Sequence, residues 1–94
     1  MTVSFLPSFV KKLKSLELDL QDEVMEKIEL FKDEKNHKQL KIHKLRGVLS
    51  GRYGFSVNYK TRIIFLYLTK NEAVLLAVDD HEIYKNKNGI EKKD

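Results

Sequence analysis

RIIFLYLTKNEAVLLAV, residues 62–78, decides the fold. Residues 62–69 (RIIFLYLT) are β-branched and aromatic, as a central strand requires. Asn71-Glu72 reads as a turn, and residues 73–78 (AVLLAV) as a second strand covered on both faces. Immediately upstream, Phe55, Val57 and Tyr59 alternate with Ser56 and Asn58, the period of a half-buried strand. Asn58-Tyr59-Lys60-Thr61 supplies the turn after it. Three sequential strands of this kind form an antiparallel meander.

The N-terminal half has a different period. Residues 2–5 (TVSF) alternate and suit a short first strand. Pro7 fits a first helical turn, where its missing N–H costs little. Phe9, Val10, Leu13 and Leu16 then recur at helical spacing, with Lys11, Lys12 and Lys14 on the wet side. Asp19 is placed to cap a second helix whose apolar stripe is Leu20, Val24, Ile28 and Phe31, with Met25 alongside. The two helices join near Leu18-Asp19 as an antiparallel hairpin. Residues 34–44 form a polar, basic connector with a short extended piece near Leu40 and Ile42. Gly47, Ser50, Gly51 and Gly54 break regularity after it. The expected fold is α+β in the order β-α-α-β-β-β, a small antiparallel sheet with the helical hairpin packed on one face. A short helical turn over 81–85 would follow. Residues 1–94 form a single domain, with 86–94 as a polar tail.

Ninety-four residues allow one modest core. The absence of cysteine excludes a disulfide, a thiolate nucleophile and a cysteine-based zinc site. No signal peptide and no apolar run of membrane-spanning length are visible, so the expected compartment is cytoplasmic and the expected partners include no membrane. The net charge of +4 hides a sharper pattern. Residues 1–34 sum to −3 and residues 71–94 to −2, whereas residues 35–70 carry six lysines, three arginines and no acid, for +9. All three arginines, Arg46, Arg52 and Arg62, fall in that block, and a guanidinium is the better fork for phosphate. The pattern points to a polyanionic partner rather than a merely solvated face.

Cleaving a phosphodiester without a metal requires a base, a cation on the phosphate and an acid for the leaving oxygen. RNA brings its own nucleophile, the 2′-OH. Histidine, arginine, lysine and tyrosine suffice for such a site, and these types cluster between residues 43 and 84. His81 follows a central strand, and an imidazole suits proton transfer at neutral pH. Taken alone it is also an ordinary turn histidine. Arg62 opens the most apolar strand and requires an anionic partner, either Asp79 or Asp80 on the next strand or a phosphate from outside. Tyr84, three residues after His81, can stack a base, bind phosphate or cover the sheet edge. His43 lies among Lys44, Arg46 and Arg52, cations that would hold it neutral. His37 reads as a loop histidine. Asp79, Asp80 and His81 are adjacent in sequence, which disfavours convergence on one metal ion, and no metal or other cofactor is expected.

Taken together, MTVSFLPSFVKKLKSL, HKLRGVLSGRYGFSVN, TRIIFLYL and LLAVDDHEIYK resemble the RelE/ParE superfamily of bacterial toxins over about residues 1–85. The nearest branches are the RelE, YafQ and HigB types of mRNA interferase. The resemblance implies the toxin of a type II toxin–antitoxin system. Such a toxin is a metal-independent endoribonuclease that enters the ribosomal A site, cleaves mRNA by 2′-OH attack and is neutralised by a cognate antitoxin. Carried over by matching motif, Arg62 would contact the scissile phosphate, His81 would act as acid, Tyr84 would hold the substrate base and His43 would serve as base. Lys44, Arg46, Arg52 and Lys60 would hold mRNA or rRNA backbone. The sequence departs from the RelE branch where Gly54 and Ser56 replace basic residues, where Thr61 replaces a tyrosine, and where His81 and Tyr84 stand one residue closer than usual. The alternatives are a ParE-like toxin that poisons DNA gyrase and a non-catalytic relative that binds only an antitoxin.

Overall fold

The computed structural model describes residues 1–80. A first strand β1, Thr2–Phe5, leads into helix α1, Pro7–Ser15, and helix α2, Leu18–Phe31. A 3-10 turn over Glu34–Asn36 and a short helix α3, His37–Leu40, follow. The remaining strands are β2, His43–Lys44; β3, Tyr53–Ser56; β4, Thr61–Thr69; and β5, Glu72–Asp80. They form one five-stranded sheet in the order β1-β5-β4-β3-β2.

The β3-β4-β5 meander is antiparallel, as the sequence predicts. The sheet as a whole is mixed, because β1 lies parallel to β5, with Thr2 opposite Glu72 and Phe5 opposite Leu75. Parallel neighbours need a long crossover, and here the chain between β1 and β5 includes the helical hairpin. Two further elements go beyond the sequence reading. Leu40 closes a helical turn rather than an extended piece, and His43–Lys44 form a short edge strand against β3.

The hairpin covers one face of the sheet. Phe9, Val24, Ile28 and Phe31 pack on Phe55, Val57, Ile63, Phe65, Leu75 and Val78. Phe31 is fully buried, and its ring lies 5.0 Å from Phe55 and 4.6 Å from Phe65. His37 stacks on the same ring at 4.9 Å and 13°, and its Nε2 lies 2.7 Å from the Phe31 carbonyl. His37 is thus a structural histidine that starts α3 against the core.

Leu75 and Val78 both join this core although an odd number of steps separates them. A regular strand would put them on opposite faces. The register resolves the conflict: Ile64 faces Ala77, Phe65 faces Leu75, and Leu76 is skipped. This bulge restores the alternation and turns Leu76 and Ala77 to the second face. Two glycines with φ of 70° and 91°, Gly47 and Gly51, frame the 3-10 turn between β2 and β3, in a backbone region that favours glycine.

Candidate functional site

Strand register sorts the basic residues by face. His43 pairs with Gly54, Gly54 with Ile64, and Ile64 with Ala77. Residues directly opposite one another share a face, and so do residues two apart on a strand. Ile63 and Phe65 point to the hairpin, so Ile64 points away from it, and Arg62 shares that side. Ser56 lies opposite Arg62 on β3, and Asp79 opposite it on β5. His43 and Arg62 therefore occupy one face of the sheet, the face without the hairpin. Two interstrand steps and two residues along the strand separate their Cα atoms by about 12 Å.

Beside this row lies an open cavity of about 450 Å³, lined by Leu6, Val48, Leu49, Arg52, Ile64 and Ala77 among others. Most of its lining side chains are apolar, and Ser8 and Arg52 are the polar ones. Arg46 is exposed at the start of the 3-10 turn that supplies Val48 and Leu49. The site face thus carries Arg62, His43 and, lining the cavity, Arg52, with Arg46 on the adjoining loop. Gly54 contributes no side chain to the row.

Arg62 is half-buried. Its Nη1 donates to the Asn58 carbonyl at 2.8 Å and, more weakly, to Thr61 at 3.5 Å. Among the described residues no carboxylate forms an ion pair with it, and Asp79 instead pairs with Lys12 at 3.4 Å. Asn58 also shapes the turn that presents Arg62. Its Oδ1 accepts from the backbone N–H of Lys60 at 2.9 Å and of Thr61 at 2.8 Å.

His43 follows Lys41, whose φ of 58° ends α3 in the left-handed region. The Lys41 carbonyl lies 3.2 Å from His43 Nδ1. That bond requires a proton on Nδ1, and in a neutral imidazole this leaves Nε2 as the acceptor nitrogen.

Two expected RNA contacts fall elsewhere. Lys44 adjoins His43 on the strand and pairs with Tyr53, which pairs with Phe65 on the hairpin side. Lys60 sits at the β3–β4 turn against Glu17, Asp19 and Glu23 of the α2 start. His81, Tyr84 and the helical turn expected over 81–85 lie outside the described residues. Among the described residues no three potential metal-ligating side chains gather. Among the described residues no helix is long and apolar enough to cross a membrane. The residue that sequence reading assigned only to a turn is Asn58, and its signal was present in Val-Asn-Tyr-Lys-Thr, an asparagine two and three residues before the N–H groups it binds.

A second cleft lies on the hairpin side, lined by Glu34, His37, Tyr67 and Lys70. Burial, then Tyr53 and Glu34, pushes the Tyr67 phenol above its usual range. It remains a hydroxyl donor at neutral pH.

No family model and no curated protein matches the sequence. Solved structures do share its architecture. The YoeB–YefM complex from Staphylococcus aureus matches with a TM-score of 0.68 at 16% identity, over 86% of this chain and 97% of that one. The RelBE2 toxin–antitoxin complex from Mycobacterium tuberculosis matches with a TM-score of 0.65 at 21% identity, over 84% and 95%. The archaeal RelE–RelB complex from Pyrococcus horikoshii OT3 matches with a TM-score of 0.65 at 19% identity, over 84% and 92%. The chain has the RelE/YoeB toxin fold, built on nearly the full length of these relatives.

Proposed function

We propose that the protein is a cytoplasmic toxin of the RelE/ParE superfamily, from a type II toxin–antitoxin system, and that it is a ribosome-dependent mRNA endoribonuclease. The observation that carries this reading is the face shared by Arg62, Arg52 and His43 on the RelE/YoeB fold. The substrate 2′-OH attacks the adjacent phosphate, giving a 2′,3′-cyclic phosphate and a 5′-OH end. Arg62 stabilises the charge that develops on the phosphorane, and His43 Nε2 takes the 2′-OH proton. A separation of about 12 Å between their Cα atoms leaves room for a phosphodiester between the two side chains. His81 serves as general acid and Tyr84 holds the base. Arg46 and Arg52 grip mRNA or rRNA backbone, with Lys44 and Lys60 reaching RNA from the hairpin side. A cognate antitoxin covers the cations.

Primer extension on a defined mRNA tests this, with and without translating ribosomes. Wild type should cut only on ribosomes, and Arg62→Ala should lose on the order of 10²–10³ in rate. Cleavage by Arg62→Ala at the wild-type rate would remove the assignment. A gyrase-directed, ParE-like toxin is the second reading, favoured by Gly54 and Ser56, which leave no basic side chain on β3 beside Arg62. Intact mRNA with DNA-damage signalling on induction would establish it.

A further inference from the structure

We propose that Asn58 is a positioning residue for Arg62 and that Glu23 of α2 holds it in place. The inference rests on the reading of Arg62 as the phosphate-binding cation. Asn58 uses every polar group it has. Its N–H donates to the Thr61 carbonyl at 3.4 Å, and its carbonyl accepts Arg62 Nη1 at 2.8 Å. Its Oδ1 accepts the two turn N–H groups, and its Nδ2 donates to Glu23 Oε1 at 3.0 Å. The orientation of the amide is settled by its partners. Backbone N–H groups can only donate, so oxygen faces them; a carboxylate can only accept, so nitrogen faces Glu23.

The turn alone does not demand this. Aspartate or serine also closes a turn of this kind through a side-chain oxygen. Unlike aspartate, asparagine closes it and at the same time donates to a carboxylate 35 positions earlier in the chain. Glu23 precedes Val24, which is fully buried in the core, so the far end of the network is anchored on the packed helix. The chain therefore runs from the core through Glu23 and the Asn58 amide to the turn, and from the Asn58 carbonyl to the guanidinium. One arm of Arg62 is held this way. Among the described residues Nε and Nη2 have no partner, which leaves them for an incoming oxyanion. A donor fixed before the substrate arrives needs no reorganisation as charge develops.

The test measures kcat and KM for ribosome-bound mRNA across a set of variants, with folding followed by circular dichroism. Asn58→Ala should lower kcat on the order of 10²-fold, the size expected when a reacting group is misplaced by about 1 Å, with KM nearly unchanged. Asn58→Asp keeps the turn acceptor but sets a second carboxylate against Glu23, and should also be slow. The exchange Asn58→Asp with Glu23→Gln restores one donor and one acceptor and should recover most of the wild-type kcat. Ile28→Ala, which loosens the same helix more than a turn away from Glu23, should keep its kcat wherever it is folded. Wild-type kcat in Asn58→Ala beside an inactive Arg62→Ala would overturn the positioning role. So would an exchange variant that is folded yet as slow as Asn58→Asp. Full activity in Arg62→Ala would instead overturn the underlying reading of Arg62, and the two failures are told apart by that one variant.

Discussion

Replacing Phe31 with alanine should be among the most damaging changes in this chain. The ring is fully buried at the end of α2 and touches Phe55 and Phe65 on the sheet and His37 on α3. Phenylalanine-to-alanine changes in cores cost about 3–5 kcal/mol, and most where the site cannot collapse. Here two walls of the void are rings fixed on paired strands, so the upper end, about 4–5 kcal/mol, is expected. A chain of this size has roughly 5–14 kcal/mol in total. The variant should thus lose a third or more of its stability, and its Tm should fall by roughly 16–40 °C. Phe31→Leu keeps most of the volume and loses the ring geometry, for about 1–1.5 kcal/mol. The damage should also travel. His37 stacks on Phe31, starts α3, and α3 ends at the Lys41 carbonyl that holds His43. Urea unfolding followed by circular dichroism reads the first effect, and cleavage rate at a temperature where Phe31→Leu is folded reads the second. A loss below about 1.5 kcal/mol for Phe31→Ala, with an unchanged m-value, would refute the claim that this ring is the centre of the core.

Three further outcomes are expected. The Tyr67 phenol is raised in the folded state, so above the ordinary tyrosine pKa of about 10 the unfolded chain loses its proton first and stability falls as pH rises through the folded value; Tyr67→Phe should flatten this alkaline loss in urea titrations between neutral and strongly basic pH. Lys12→Ala breaks a half-exposed ion pair with Asp79 and should lower stability by less than about 1 kcal/mol, a difference from wild type that shrinks as salt is added. Deleting Leu76 removes the bulge and leaves Leu75 and Val78 two residues apart, so a regular strand keeps both in the core, and it should cost less than Val78→Ala, which trims a fully packed site for about 1–2 kcal/mol; a larger loss in urea unfolding would show that the bulge itself is needed to hold the strand.

The parts of the fold legible in sequence were those with a local period. The run from Arg62 to Thr69 and the stripe of Val24, Ile28 and Phe31 each declared their element, whereas the alternation of Phe55, Val57 and Tyr59 placed its strand too late: β3 is Tyr53–Ser56, and Tyr59 is exposed in the turn. What a period cannot show is which strand a strand meets. Thr2–Phe5 reads correctly as a strand, yet nothing local announces a parallel partner at Glu72–Leu75. His43–Lys44 is too short to have a period at all. Leu40 reads as extended because its helix is a single turn, stabilised by the stack of His37 on Phe31 rather than by its own propensity. The same limit applies to the site. Arginine and histidine could be named from the basic block, but their common face depends on register across three strands. Adjacent positions diverge for the same reason: His43 lands beside Ile64 and Lys44 beside Tyr53. Asn58 shows the reverse case, a residue whose turn was visible and whose bond to Glu23 was not.

The parallel pairing of β1 with β5 also sets a clock on synthesis. Thr2 is made 70 positions ahead of Glu72, and its edge of the sheet cannot close until Glu72 follows. At about 5–20 residues per second that wait is roughly 4–14 seconds, during which the hairpin and then the β3–β4 pair can form but the strand ahead of them has no neighbour. The pairing of Thr2–Phe5 with residues 72–75 spans most of the described chain, so a nascent chain cannot close this edge of the sheet before residue 75 has been made.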